Sequence, residues 1–351
     1  MSGLLWPSCK QEGLFQRLSG AYSLSTSDPL PMYACIDLGS NSFHILIGEW
    51  VEGRIEIVER CSDSVQLGED VRKTGSISPG AFKRGLDCLK HFKTLMDQYP
   101  LEQYWALGTN TFRVTDNSID FIQFARDIGI EISTISGVQE AVLIYAGVIT
   151  SLPESDQPRL VIDIGGGSTE VVIGHGQSRL LTESMAIGSV AWRDKFFPVH
   201  SADTDLLETQ LGEAAEAAFA VFAGIGPGVR KAGWHEAYAS SGTVKMLAAI
   251  CQSHGYSKGK IELNALIELK SKIIKAIAEG GELSGLKERR RDLLLPGWAV
   301  LVGLMQAYSV DSINFSATAL REGMLDFMVK NEKTLGVTQN SELPNVSLTN
   351  N

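Results

Sequence analysis

Apolar and polar positions along the chain fall into two successive runs of the same kind. Tyr33–Asp37 is a short apolar stretch of the sort a buried strand needs, and Phe43–Trp50 and Arg54–Cys61 then alternate, as a meander does. Ser78 before Pro79 reads as an N-cap followed by proline at the first helical position. Behind it, Phe82, Leu86, Leu89, Phe92 and Met96 share one helical face. Tyr104–Leu107 reads as a strand, Asp116 as the cap of a helix through Ile128, Ile130–Ile135 as a strand and Val138–Thr150 as a helix. The pattern then restarts with strands at Arg159–Ile164, Thr169–Ile173 and Leu180–Met185. A helix at Asp205–Ala223, a strand at Ala237–Ala239 and helices at Val244–Gln252 and Leu263–Ala278 follow. A long helical stretch Glu288–Tyr308, a strand Ser312–Phe315 and a helix Ala319–Val329 close the pattern.

A length of 351 residues predicts two domains at roughly 100–200 residues each. The expected division is a flexible leader 1–31, a first domain 32–140, a second domain 141–330 and a disordered tail 331–351. A hydrophobic fraction of 44% with 21% charged residues is globular and excludes a fibrous or disordered chain. The formal net charge of −10 argues against a nucleic-acid partner, whose footprint is basic, but leaves room for a small polyanion held locally. Leu293–Val310 approaches membrane length without charge, yet Pro296, Gly297, Gly303 and Gln306 interrupt it; it reads as a buried helix, with no membrane partner expected. The five cysteines lack any metal or C-x-x-C spacing, and no signal peptide is recognisable, so reduced thiols and a cytoplasmic location are expected.

The main chemical signal is an internal repeat. Ile36-Asp37-Leu38-Gly39-Ser40-Asn41-Ser42 recurs as Ile162-Asp163-Ile164-Gly165-Gly166-Gly167-Ser168. Each copy sits between two predicted strands. Such a turn can aim the backbone N–H groups of Gly39, Ser40, Asn41 and Ser42, or of Gly165, Gly166, Gly167 and Ser168, at phosphate oxygens. The aspartate ending each first strand can hold a divalent cation. One such turn alone is an ordinary glycine-rich hairpin; two with the same aspartate offset suggest two domains facing a phosphate cleft.

With these turns the chain resembles the actin, sugar kinase and heat-shock-70 superfold, and more narrowly the exopolyphosphatase / guanosine-pentaphosphate phosphatase (Ppx/GppA) family. The matching motifs are Asp37–His44, Ala106–Asn117 with Thr109, Thr111 and Arg113, Ser136–Ala141 with Glu140, and Asp163–Glu170. Weaker echoes are Ser240–Thr243, Leu295–Gly297 and Leu320–Gly323. The family commonly has arginine two residues after its catalytic glutamate, where this chain has Val142, and the chain resembles the short members without a C-terminal HD-type domain. The resemblance implies two actin-like (ribonuclease H-like) α/β domains, a Mg²⁺ ion near Asp37 and Asp163, and a homodimer as one candidate assembly.

The resemblance also implies roles, each with a plainer alternative. Glu140 is the expected general base, or simply a first-turn carboxylate favoured by a helix N-terminus. Arg113 is a phosphate clamp or a surface ion pair. Asp163 is a metal ligand, and Glu170 binds metal, positions water or faces outward from a strand. The run Lys287, Arg289, Arg290, Arg291 is a substrate track or a solvated face. The implied activity is release of terminal orthophosphate from inorganic polyphosphate by metal-assisted attack of water. The alternatives are removal of the 5′ γ-phosphate of guanosine pentaphosphate, an ATP-dependent kinase of the superfold, and a non-catalytic module.

Overall fold

The computed structural model describes residues 30–51, 54–176 and 178–333. The chain forms two units, one of Met1–Ile135 with Met324–Asn351, the other of Ser136–Gly323. The expected break after residue 140 therefore moves to 135/136, and the chain returns to the first unit at Met324. Glu140 consequently belongs to the second unit. Most of the expected leader and tail lies outside the described residues, but the last helix runs on to Lys333, past the expected limit of 330.

In the first unit, β1 (Met32–Leu38), β2 (Phe43–Val51), β3 (Arg54–Asp63), β4 (Leu101–Gly108) and β5 (Ile132–Thr134) form one sheet in the order β3-β2-β1-β4-β5. β1 pairs antiparallel with β2 and parallel with β4, which makes it central and explains why it is apolar almost throughout. Helices α1 (Val71–Thr74), α2 (Pro79–Met96), α3 (Asn110–Val114) and α4 (Ser118–Asp127) complete this part. Ser78 caps α2 as expected, its side chain accepting from Ala81 N.

Asp116 does not cap the next helix. Asp116 N donates to Gly75 O, and the Asn117 side chain holds both the N–H and the carbonyl of Ile77. The segment serves as a clamp on the loop before α2, so α4 starts only at Ser118.

The second unit opens with α5 (Gly137–Ile149), then β6 (Arg159–Ile164), β7 (Thr169–His175), β8 (Ser178–Met185), α6 (Ser189–Phe196), α7 (Thr204–Ala223) and α8 (Gly226–Ala232). β9 (Glu236–Ser240), α9 (Gly242–Ser253), β10 (Lys260–Glu262), α10 (Leu263–Glu279), α11 (Leu294–Tyr308), β11 (Ser312–Phe315) and α12 (Leu320–Lys333) follow. The sheet order is β10-β11-β9-β6-β7-β8. Apart from the extra edge strand β10, this repeats the order of the first sheet, so the duplication read from the motifs is a duplication of fold. Both units are α/β, each built on one mixed sheet.

The expected helix Glu288–Tyr308 splits into a 3-10 turn, Glu288–Leu293, and α11. Pro296 sits in the first turn of α11, where its missing N–H costs nothing. α11 is buried on nearly all sides, and Gly303 admits α7, whose Ala218 Cβ would stand 2.7 Å from an added Cβ. Core packing thus accounts for the long apolar run. Among the described residues no helix is long and apolar enough to cross a membrane. Cys35, Cys88 and Cys251 are free and buried.

Two glycines let α5 and the start of α12 meet backbone to backbone. A Cβ on Gly323 would overlap the Leu143 carbonyl, and one on Gly147 would overlap the Ala319 carbonyl. Neither obstacle is a flexible side chain, so neither can swing away. Gly323→Ala is expected to lower the melting temperature strongly. Gly212→Ala, on the exposed side of α7 with nothing within 4 Å, is expected to raise it slightly. Thermal unfolding of both variants checks the pair; a neutral Gly323→Ala would mean that α12 is not held by this crossing.

Candidate active site

The two repeated turns are built alike. Gly39 N donates to Ser42 O at 3.2 Å, and Gly165 N donates to Ser168 O at 2.9 Å. In each, an added Cβ on the first glycine would stand 3.0 Å from that same serine carbonyl. Glycine keeps the turn narrow.

The first turn is pinned from behind. Thr109 Oγ1 donates to Leu38 O at 3.3 Å, Thr111 Oγ1 to Ser40 Oγ at 2.8 Å, and Gly68 N to Ser40 O at 2.7 Å. The threonine-rich motif therefore shapes this loop. Arg113, in the last turn of α3, donates an N–H to the Ile135 carbonyl at 2.9 Å.

The second turn is pinned by α6. Val190 N and Ala191 N donate to Gly166 O at 2.9 and 3.1 Å, and Ser189 N donates to Gly165 O at 3.0 Å. Gly188 permits this docking, since a Cβ there would stand 2.5 Å from the Gly166 carbonyl.

The turns differ in the residues that flank them. Asp37 faces His44 across β1 and β2, whereas Asp163 faces Glu170 across β6 and β7. Only the second unit has a carboxylate pair at this position. Glu170 is buried, which settles against an outward-facing strand residue. One of its oxygens, Oε1, accepts from Ser184 Oγ at 2.8 Å, while Oε2 is buried with no hydrogen-bond partner. Burial raises its pKa well above the ordinary value, and the charges of Glu140 and Asp163 push the same way. Hydrogen bonds from Ser184 and Ser168 oppose the shift without cancelling it.

Asp163 is half-buried as a residue, but its carboxyl is enclosed. Ser240 Oγ donates to its Oδ2. Burial raises its pKa to about 6, partly offset by the Ser240 hydrogen bond and the Arg321 charge. Glu140 sits in the first turn of α5 behind a capping box in which Ser136 Oγ accepts from Gln139 N and Gln139 Oε1 from Ser136 N. It is buried and within electrostatic reach of Glu170, which a solvated cap would not be. Glu140, Glu170 and Asp163 thus form one coupled acidic group inside the second unit.

Hard oxygen donors suit magnesium, which commonly takes one or two carboxylates and completes its shell with water and substrate phosphate. The unpartnered Glu170 Oε2 beside Asp163 fits that demand. Among the described residues no group of three or more histidine, cysteine, aspartate or glutamate side chains is placed to hold a metal ion.

Two contributors were not assigned by sequence reasoning, and a third was read only as one of a run. Ser240 and Arg321 lie in two of the three weak echoes, whose roles motif resemblance alone does not define. Arg290 belongs to the basic run, and the run divides. Arg291 is tied to Glu288 and to the carbonyls of Ala276 and Gly281, and Lys287 and Arg289 are exposed. Arg290 turns inward, and its guanidinium packs so closely on Gly242 that any side chain there would overlap it. Burial and the charge of Arg289 lower its pKa, and Asp292 works against them. The guanidinium therefore stands at the N-terminus of α9, next to Ser241. Ser241 holds φ 105°, a strained value for a residue other than glycine, while its hydroxyl accepts from Val244 N.

Comparison with known proteins decides the family. The Ppx/GppA phosphatase family matches residues 46–332. This chain belongs to the Ppx/GppA phosphatase family. It is 35% identical over 304 residues to a Haemophilus influenzae protein provisionally named an exopolyphosphatase, covering 85% of this chain and 91% of that one. A crystal structure of an exopolyphosphatase from Cytophaga hutchinsonii superposes with a TM-score of 0.76 at 26% identity, covering 86% of this chain and 98% of the other. The fold is shared by the Ppx/GppA family member of Aquifex aeolicus, with a TM-score of 0.70 at 24% identity over 87% and 99% of the two chains.

The raised pKa of Asp163 has a consequence for stability. A carboxyl that binds its proton more tightly when folded adds stability below its ordinary value of 3.8, and that contribution is lost as pH rises through about 6. In metal-free protein, Asp163→Asn is therefore expected to raise the melting temperature at neutral pH, with the gain vanishing below the ordinary value. Melting curves across that window, with chelator present, are the check; a lower melting temperature at neutral pH would mean that the charge is already compensated.

Proposed function

We propose that this Ppx/GppA-family phosphatase is an exopolyphosphatase that removes terminal orthophosphate from inorganic polyphosphate by attack of water. The observation carrying the reading is the coupled acidic group Glu140–Glu170–Asp163 beside the Gly165–Ser168 turn. The exopolyphosphatase names of the Haemophilus and Cytophaga relatives support the substrate class.

Hydrolysis of a phosphoanhydride needs a cradle, charge neutralisation and an oriented water. The cradle in this reading is the backbone of Gly165–Ser168. Asp163 and Glu170 would hold a Mg²⁺ ion, which when bound supplies positive charge to the phosphoryl oxygens. Glu140 accepts the proton of the attacking water. Its own charge is favoured by the α5 N-terminus, and Ser136 and Gln139 hold that turn in shape. The excess negative charge that raises Glu170 disfavours substrate until cation is present. Arg290 serves as a phosphate contact. Chemistry of this kind fits a cytoplasmic enzyme.

Removal of the terminal phosphate from guanosine pentaphosphate uses the same machinery, and nothing in the acidic group separates the two substrates. Orthophosphate release from polyphosphate of several lengths, guanosine pentaphosphate and ATP, each with Mg²⁺, tests the assignment. The reading fails if polyphosphate is the poorest of the three.

Glu140→Gln keeps shape and removes the base. Turnover is expected to fall by about 10²–10⁴ with substrate binding retained. A variant that kept more than about half of wild-type turnover would transfer the role to Asp163 or Glu170.

The division of the basic run also bears on long substrates. With Arg291 committed to Glu288 and Arg290 turned inward, the run offers only Lys287 and Arg289 as exposed charges. A polyanion held along its length needs many such contacts. Long polyphosphate is therefore expected to shorten as a ladder of intermediates on a gel. Disappearance of full-length chains straight to orthophosphate would reveal a track elsewhere.

A further inference from the structure

Helix α6 has two attachments. At its N-terminus, the N–H groups of Ser189, Val190 and Ala191 hold the carbonyls of Gly165 and Gly166. One turn further on it carries Arg193, whose Nε donates to Asp194 Oδ1 at 2.9 Å and whose guanidinium reaches Asp292 Oδ2 at 2.7 Å. Asp292 lies 99 residues away in sequence, in the 3-10 turn Glu288–Leu293. That turn also carries Arg290. One short helix thus joins the second phosphate turn to the element that bears Arg290.

The join is built of charge, shielded on the Arg193 side and open to solvent at Asp292, whose side chain is 44% exposed. The side chains of Arg193 and Asp194 are 17% and 9% exposed. Burial alone would lower the Arg193 pKa, yet the hydrogen bonds and charges of Asp292 and Asp194 outweigh it and leave the pKa raised. The ionic form is therefore favoured on balance. A guanidinium fork held by two carboxylates also fixes direction, which a single apolar contact does not. Arg290 itself has neighbours that repel or support it unequally, since Arg289 disfavours its charge and Asp292 favours it.

We propose that Arg193 and Asp292 are positioning residues: their ion pair couples the Gly165–Ser168 turn to Arg290 and sets where that guanidinium meets the phosphate chain of the substrate. The inference rests on the reading of Arg290 as a phosphate contact. Neither residue touches substrate, so they act on its binding through Arg290 and not on the bond-breaking step.

The experiment is a double-mutant cycle in full-length protein, read by steady-state kinetics on polyphosphate with saturating Mg²⁺. Arg290→Met, Arg193→Met, Asp292→Asn and the double variant Arg193→Met/Arg290→Met are compared, with Arg193→Lys as the conservative variant. Arg193→Met and Asp292→Asn are each expected to raise KM about 3- to 30-fold with kcat within about twofold of wild type. Arg193→Lys is expected to recover part of the loss. In the Arg290→Met background, Arg193→Met is expected to add no further loss, because its effect passes through the missing guanidinium. Additive effects would overturn the coupling, as would a KM that rises in Arg290→Met but in neither partner variant. A loss of kcat and thermal stability at unchanged KM would reduce the pair to a structural brace and also overturn it. If Arg290→Met itself leaves KM unchanged, the reading of Arg290 fails first and the inference falls with it. Asp292→Asn, nearly isosteric, keeps the test available should Arg193→Met fail to fold.

Discussion

A buried carboxylate without a counter-charge is the constraint around which the second unit is organised. Glu170 is enclosed, has one unpartnered oxygen, and shares its surroundings with the charges of Glu140 and Asp163. Removing such a group from water is costly unless something compensates. The protein supplies hydroxyls rather than cations next to Glu170: Ser184 on the neighbouring strand and Ser168 in the turn, with Ser240 doing the same for Asp163. Hydroxyls reduce the cost without removing it, because each brings a dipole and no net charge. The remaining imbalance is what a cation would relieve. In the proposed reading, that cation is the metal through which phosphate is bound.

The surrounding backbone keeps that arrangement rigid. The Gly165–Ser168 turn is closed by its own hydrogen bond and clamped from outside by three N–H groups at the start of α6. Glycines 165 and 188 are required by close approach rather than by unusual torsion. Helix α5 brings Glu140 into the group, and the glycine crossing with α12 holds α5 in place while delivering Arg321 to the field of Asp163. A site with raised carboxyl pKa values depends on such rigidity. If the elements could separate, water would enter and the shifts would collapse.

The alternation of apolar residues made most strands legible, and the repeated aspartate–glycine turn made the duplication legible. Strands and long helices carry periodic signals that short elements lack. The helices α1, α3, α6 and α8 have too few turns for a stripe to emerge, so they were missed. Asp116 looked like a cap because caps are recognised by residue type, whereas Gly75 and Ile77 claim this segment from far along the chain. The domain break was misplaced by a few residues because Ser136 begins the helix and the new unit together. Glu140 was legible only through its motif. Arg290 was visible as a charge, but a run of basic residues does not say which one turns inward. That choice is made by Gly242, whose bare backbone leaves room for a guanidinium.

Duplicated turns need not share chemistry, and here the cross-strand register shows how they diverged. His44 and Glu170 occupy the same place relative to their turns, one opposite Asp37 and the other opposite Asp163. A histidine opposite the aspartate adds no carboxylate, while a glutamate there concentrates negative charge. The first turn is accordingly braced by neutral threonine hydroxyls on Leu38 and Ser40, a design suited to presenting backbone N–H groups. The second carries the acidic group and receives Glu140 from α5, which the chain assigns to the same unit. Phosphate cradling needs only the shared backbone geometry, so either turn can supply it. In the proposed reading, proton acceptance and cation binding need the carboxylates, which places them in the second unit. The fold repeats, and the residue opposite the aspartate, together with Glu140 from α5, makes the acidity of the second copy.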